Sequence, residues 1–403
     1  MQLSDVFESV AYKVLAAVDL PGGSHQHEVN GSEALKKLFG AAGPVSGQIA
    51  WRYFSDDAET RSAEEPFTFY DARARSAERT GRSEWRMYYA GDFLRVATPG
   101  DVLILVRPGG PAEEQQVYGL VFAQDSAWLR SARILFGFEA VKAGLETIPA
   151  RTLNERQLEL VRQLILEQLE LSVVVPVDPA DLQLVREAFG DRWPKTAEMS
   201  AFARAQVEVD TQDSDTALSR WIDRETALFR ALEHGAMIER IRQGFDSVDS
   251  FMKFSLSMHN RRKSRMGHSF EHHLATLFTL RGLHFQQNIA TEGKNRPDFL
   301  FPGKAAYSDP AFPASRLLML AAKSTCKDRW RQILTEANRI SPKHLCTLES
   351  SISTAQTDEM RQQRVVLVVP DAIAHTYTPE QLRHQLNLEG FIATVQATQT
   401  MSG

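Results

Sequence analysis

Asn295-Arg296-Pro297-Asp298-Phe299-Leu300-Phe301, a turn-rich interval, then Leu317-Leu318-Met319-Leu320-Ala321-Ala322-Lys323 and Cys326-Lys327-Asp328-Arg329-Trp330-Arg331, form the stretch on which the fold turns. The two short apolar runs, set off by Pro and Gly, read as buried strands. Beyond them Trp330, Ile333, Leu334, Ala337 and Ile340 repeat at i, i+3, i+4 and i+7, which predicts a helix carrying Glu336 near its apolar stripe. Working outward, Phe270, Leu274, Leu277 and Phe278 mark an earlier helix, and residues 344–348 and 365–369 read as two more strands. Alternating strands and helices predict an α/β domain, a central sheet covered by helices with its polar groups at strand ends.

The N-terminal part has a different pattern. Residues 45–54 alternate around Ile49, Trp51 and Tyr53, residues 101–106 end at a Pro-Gly-Gly turn, and residues 116–122 form another run. These predict a mainly-β or mixed first domain over about residues 1–150. Helical periodicity appears at residues 32–39 and returns over residues 154–171, so residues 151–178 read as a helical connector and 179–403 as the second domain. A chain of 403 residues is long enough for two cores.

Hydrophobic residues at 43% and charged residues at 24% fit a globular protein, and no apolar run or N-terminal layout signals a membrane span or a leader peptide, so a cytoplasmic location is expected. Two cysteines, Cys326 and Cys346, supply neither a disulfide framework nor metal-ligand spacing. The net charge of -5 argues against indiscriminate coating of nucleic acid, but the charges are segregated. Residues 250–270 hold five basic side chains and no acid; residues 73–86 hold five arginines against two glutamates. Two basic surfaces on an acidic chain suit directed binding to phosphates.

An acid at the head of one strand, a lysine ending the next and a further acid nearby suit metal-dependent hydrolysis of a phosphodiester. Mg2+ favours a few carboxylates plus waters. Asp298 would hold the metal and Lys323 would orient or deprotonate the attacking water. Glu336, or Glu271 on the earlier helix, could supply the second carboxylate. Lys327, Asp328 and Arg329 could address G·C pairs, since Arg and Lys donate to guanine and Asp accepts from cytosine; equally they could form a charged helix start capped by Asp328. Arg261, Arg262, Lys263 and Arg265, placed ahead of the Glu271 helix, fit phosphate contacts or a solvated basic patch. His268 and His272 stand four apart without a third ligand at metal spacing. In the first domain His25 and Gln26 follow Gly22-Gly23, and Arg82, Glu84 and Arg86 follow Gly81, two polar loops able to touch base edges or phosphates.

From residue 238 to about 395 the chain resembles the EcoRII restriction endonuclease family, through Ile241-Arg242-Gln243-Gly244-Phe245, Asn260-Arg261-Arg262-Lys263-Ser264-Arg265, Thr291-Glu292-Gly293, Arg296-Pro297-Asp298-Phe299-Leu300-Phe301-Pro302 and Lys323-Ser324-Thr325-Cys326-Lys327-Asp328-Arg329-Trp330. The resemblance implies a PD-(D/E)XK nuclease fold, Mg2+-dependent double-strand cleavage of DNA at a CC/GG-containing site such as CCWGG, and a homodimer formed through the C-terminal domain. It puts Asp298, Lys323 and Glu336 on metal and catalytic positions with Glu271 as an additional acid, and Lys327, Asp328 and Arg329 on the triplet that reads the outer G·C pairs. A weaker N-terminal likeness, at Gly22-Gly23, His25-Gln26, Lys36-Lys37-Leu38-Phe39 and Arg82-Ser83-Glu84-Trp85-Arg86, implies a pseudobarrel domain that binds a second, effector copy of the site through His25, Gln26, Arg82, Glu84 and Arg86. A cognate cytosine methyltransferase is expected genetically. The chain departs from the family in one place. The Arg and aromatic pair, four residues apart, that holds flipped central nucleotides has no counterpart in Arg220-Trp221-Ile222-Asp223-Arg224-Glu225-Thr226. Two other readings remain alongside: a modification-dependent or repair nuclease whose first domain recognises an altered base, and a DNA-binding regulator without catalysis.

Overall fold

The computed structural model describes residues 7–21, 27–40, 43–74, 83–108, 116–138, 144–148, 165–166, 169, 171, 177–190, 192–293, 295–326, 329–350 and 352–400. The chain divides into two compact units, Met1–Gln157 with Ile165–Pro176 and Leu158–Leu164 with Val177–Gly403. No helix among the described residues is long and apolar enough to cross a membrane.

The first unit is built on an eight-stranded sheet in the order β2-β5-β4-β3-β7-β6-β1-β8. Its strands are β1 (Phe7–Val14), β2 (Glu28–Asn30), β3 (Val45–Phe54), β4 (Arg61–Asp71), β5 (Trp85–Tyr89), β6 (Val102–Pro108), β7 (Gln116–Phe122) and β8 (Glu146–Ile148). Every pairing is antiparallel except that of β3 with β7. One face buries Ile49, Trp51, Phe67, Phe69, Met87, Leu103 and Leu105 together with Leu35, Leu38 and Phe39 of helix α1 (Ser32–Phe39). Phe54 stacks on Phe122 and tilts against Trp128, which belongs to helix α2 (Ala127–Phe136). Gly119 pairs with Trp51 in the β3·β7 register, and a Cβ at Gly119 would come within 2.2 Å of the indole ring. The glycine makes room for the largest side chain of this core.

The second unit is the expected sheet and helices. Its strands are β9 (Gln286–Gln287), β10 (Phe299–Phe301), β11 (Leu318–Lys323), β12 (Lys343–Thr347) and β13 (Val365–Val368), in the order β13-β12-β11-β10-β9. The β9-β10-β11 part is antiparallel and the β11-β12-β13 part parallel. Preceding it are α3 (Pro179–Phe189), α4 (Thr196–Ala205), α5 (Ser214–Gln243) and α6 (Val248–Leu280). Phe270, Leu274, Leu277 and Phe278 of α6, Ala217, Leu218, Trp221 and Ile222 of α5, and Leu388, Phe391, Ile392 and Val395 of the helix Leu388–Thr400 close one core over the sheet. Val185, Met199, Ala203, Leu228, Ala231 and Leu232 form a smaller helical core behind it. Asp215, buried at the start of α5, accepts backbone N–H bonds from Asp371, Leu388 and Glu389, tying that start to the opening of the helix Leu388–Thr400.

Two expectations are corrected here. The basic run at 261–265 does not precede the Glu271 helix: α6 runs unbroken from Val248, held at its start by the Ser247 hydroxyl accepting the Ser250 N–H. The helix expected from Trp330 to Ile340 is a six-residue 3-10 helix, Trp330–Thr335. Glu336 leaves it in extended conformation and Ala337 takes a φ of 47°, which ends the helical path.

Candidate active site

Asp298 stands immediately before β10, and Lys323 is the last residue of β11. The register pairs Phe299 with Leu320, so Asp298 faces the C-terminal end of β11. One oxygen of Asp298, Oδ2, accepts both the Ala322 N–H at 2.7 Å and the Lys323 ammonium at 2.8 Å. Neither donor uses Oδ1. The Asp298 carboxylate is buried, 7% exposed, and a bond from its neighbour's backbone fixes its direction. Two residues before Lys323, on the same side of the strand, is Ala321, so no second acid comes from β11 itself.

Glu336, at the end of the 3-10 helix, is a further acid that feels the Asp298 charge. Burial, and after it the Asp298 charge, push the Glu336 carboxyl up to about 7, while Lys323 and Lys343 act the other way. Its Oε2 is buried and has no hydrogen-bond partner among the described residues. Glu271, half-buried on α6, is raised for the same two reasons, burial first and Asp298 second, against a hydrogen bond from Asn288 and the charges of Lys323 and His268. Asn288, with its backbone N–H on the Asp298 carbonyl, joins the two acids from the β9 side. Three carboxyls and one ammonium thus act on one another around the β10 and β11 ends. Among the described residues no three His, Cys, Asp or Glu side chains converge as a ready-made cage. Two or three oxygen donors with one unpartnered oxygen do fit Mg2+, which retains several waters and is commonly bound by one or two carboxylates.

The other candidates are placed unequally. Lys327 and Asp328 lie outside the described residues; Arg329 is exposed just before Trp330 and donates to the Thr325 carbonyl and hydroxyl at 3.2 and 3.4 Å. On α6, Arg261 lies over the Trp193 ring at 4.1 Å, and Arg262 grips Glu233 through Nε and Nη2 while remaining exposed. Nothing is described of the Lys263 side chain. Arg265, expected among the phosphate contacts, is turned inward. It is 7% exposed, stacks on Phe229 and donates to the fully buried Glu225 at 3.2 Å, which in turn is 2.9 Å from His273. One helical turn after Arg261, position 265 points into the helical core. His268 donates from Nδ1 to the Ser264 carbonyl at 2.8 Å, and His272 remains on α6 with no third ligand beside it among the described residues.

In the first unit His25, Gln26 and Arg82 lie outside the described residues. Glu84 and Arg86 belong to one ion-pair chain. Arg86 reaches Glu28 at 2.6 Å and Glu84 at 2.5 Å, Glu84 also takes Arg73 at 2.6 Å, and Tyr70 donates to Glu28. The Glu84 carboxyl is held below its ordinary range by these arginines, Arg86 first.

A sequence profile for the family described as EcoRII C terminal matches residues 229–392, the segment that carries Glu271, Asp298, Lys323 and Glu336. Over this segment the chain is similar to the EcoRII family. The type II restriction enzyme EcoRII of Escherichia coli is 45% identical over 207 residues, which make up 50% of this chain and 50% of that enzyme. The chain thus spans about half the length of this curated relative. Two solved structures overlap it with TM-scores of 0.44: metal-depleted Ecl18kI in complex with uncleaved, modified DNA, 18% identical over 57% of this chain and 87% of that one, and a restriction endonuclease PspGI–substrate DNA complex, 13% identical over 52% and 94%. The mixed sheet flanked by helices, with Asp298 and Lys323 at the ends of adjacent strands, is the α/β arrangement expected of the second unit, and the unit before it is mainly β as expected. Within the matched segment, Asn288 and Lys343 are site neighbours that the sequence did not single out. Both are polar residues at element edges, with no spacing that sets them apart.

Proposed function

We propose that this chain is a type II restriction endonuclease of EcoRII kind, which cuts both strands of DNA at a CC/GG-containing site such as CCWGG and depends on Mg2+. The observation that carries the reading is the shared Asp298 oxygen, bonded to Ala322 and Lys323, beside a buried Glu336 with an unpartnered oxygen. Asp298 and Glu336, with Glu271 as the outer acid, would hold the cation. When bound, Mg2+ supplies Lewis-acid stabilisation of the phosphoryl charge and lowers the pKa of a water. Lys323, fixed by Asp298, places a positive charge at the strand end, where it can orient the attacking water and offset charge on the phosphate.

In this reading the second unit is the nuclease domain and the first binds an effector copy of the site through His25, Gln26, Arg82, Glu84 and Arg86. Lys327, Asp328 and Arg329 read the outer G·C pairs, and Arg261, Arg262 and Lys263 meet phosphates. The working form is a homodimer joined through the nuclease domain, with a partner methyltransferase that protects host DNA. Digestion of a plasmid of known sequence in Mg2+, with the ends mapped, tests the proposal: defined ends at a CC/GG site are expected, and Asp298→Asn should retain DNA binding while cleavage falls by more than about 100-fold. Random ends, or an Asp298→Asn protein as fast as wild type, would refute it.

A further inference from the structure

Glu336 owes its direction to a short strap, residues 336–342, between the 3-10 helix and β12. Three N–H groups of the strap are met by side chains from earlier in the chain: Ala337 donates to the Thr291 hydroxyl at 3.3 Å, Asn338 to Glu292 at 3.2 Å, and Arg339 to the hydroxyl of Tyr307, in the helix Lys304–Ser308, at 3.3 Å. Its carbonyls turn the other way, toward Lys343. The Lys343 ammonium donates to the carbonyl of Glu336, to that of Ala337 at 3.1 Å and to that of Ile340 at 3.4 Å. An ammonium has three N–H donors, and all three are used here on the strap. The Glu336 and Ile340 carbonyls take no other hydrogen bond among the described residues. Lys343 itself is anchored, since it opens β12 and its backbone N–H donates to the Arg364 carbonyl at 3.0 Å.

We propose that Lys343 is a positioning residue for Glu336: by gathering three strap carbonyls it fixes the direction in which Glu336 leaves the 3-10 helix, and so places a cation-binding carboxylate opposite Asp298. A lysine serves where a neutral donor would not, because one side chain must meet three carbonyls at once and its charge offsets the carbonyl dipoles turned inward. Removal frees the strap to rotate about Ala337, already in the left-handed region, and Glu336 loses its alignment. The inference rests on the nuclease reading only in taking Glu336 as a cation ligand.

Mn2+ binding to full-length, metal-free protein, followed by electron paramagnetic resonance, reads the site without cleavage. Residues that orient a ligand typically change metal affinity by about 10–100-fold, so Lys343→Met should weaken Mn2+ by that order and Lys343→Arg should recover part of it. Against a Glu336→Ala background the Lys343→Met change should add little, because the two act through one carboxylate. Lys343→Gln, which keeps one donor, is measured in the same cycle and carries the comparison should the Met variant fail to fold. Wild-type affinity in the Lys343 variants, or an equal further loss in the Glu336→Ala background, overturns the positioning role. A wild-type protein that neither binds Mn2+ nor cleaves DNA overturns the nuclease reading instead.

Discussion

Asp298 and Lys323 can be read from sequence because each closes or opens an apolar run, and a strand end can carry a charge without burying it alone. Lys323→Met should therefore lower the cleavage rate by about 10²–10⁴-fold with DNA affinity nearly unchanged, as measured by single-turnover kinetics and a binding titration in Ca2+. Glu336 was legible as a nearby acid, but its environment was not, since the burial that raises it comes from a strap whose path no periodicity encodes. The sign of its pH linkage follows from that burial. Its folded pKa, about 7, lies above that of an unfolded glutamate, so the folded state holds the proton more tightly and loses stability as pH rises through the interval between the two. Glu336→Gln should accordingly raise the metal-free unfolding free energy at pH 8 by on the order of 1–2 kcal/mol, with solvent screening allowed for, and change it little at pH 4. Denaturant titrations at the two pH values check this; a gain at pH 4 equal to that at pH 8 would contradict it.

Elements differ from residues in how much their sequence reveals. The β3, β7 and α1 ranges match their patterns because alternation and i, i+3, i+4 spacing each belong to one local geometry. The Trp330 to Ile340 pattern misleads for a physical reason: side chains at i and i+3 share a face in a 3-10 turn as well as in an α-helix, so burial of Trp330 and Ile333 cannot tell the two apart. The basic run on α6 misleads in another way. Charge counts along a helix ignore its faces, and Arg265 faces Glu225 and His273 inside the helical packing. Arg265→Met leaves a buried carboxylate without its guanidinium, for which about 3–5 kcal/mol of lost stability is expected, and the salt dependence of DNA binding should keep its slope. A slope reduced by about one unit would instead make Arg265 a phosphate contact.

At the scale of the whole molecule the two units answer to separate tests. In the first, Gly119→Ala forces a methyl group into the Trp51 ring, and a loss of about 1–3 kcal/mol is expected from the tryptophan fluorescence transition in denaturant. If the first unit holds an effector site, a plasmid with two recognition sites should be cut about tenfold faster than one with a single site, because the second contact becomes intramolecular. Equal rates on the two plasmids would leave the first unit without an effector role. The change from a mainly-β to an α/β pattern was legible from the periodicity along the chain, whereas most of residues 151–178, read as a helical connector, lie outside the described residues. The pairing of β10 with β11 also determines how this protein can change over generations. Residues 302–317 connect the strands away from Asp298 and Lys323, so insertions there leave the strand pairing intact and are limited where Tyr307 accepts the Arg339 N–H of the strap. A single residue gained or lost within either strand turns its polar end group to the opposite side of the sheet, so drift in length is confined to the connection and the two strands vary only by replacement.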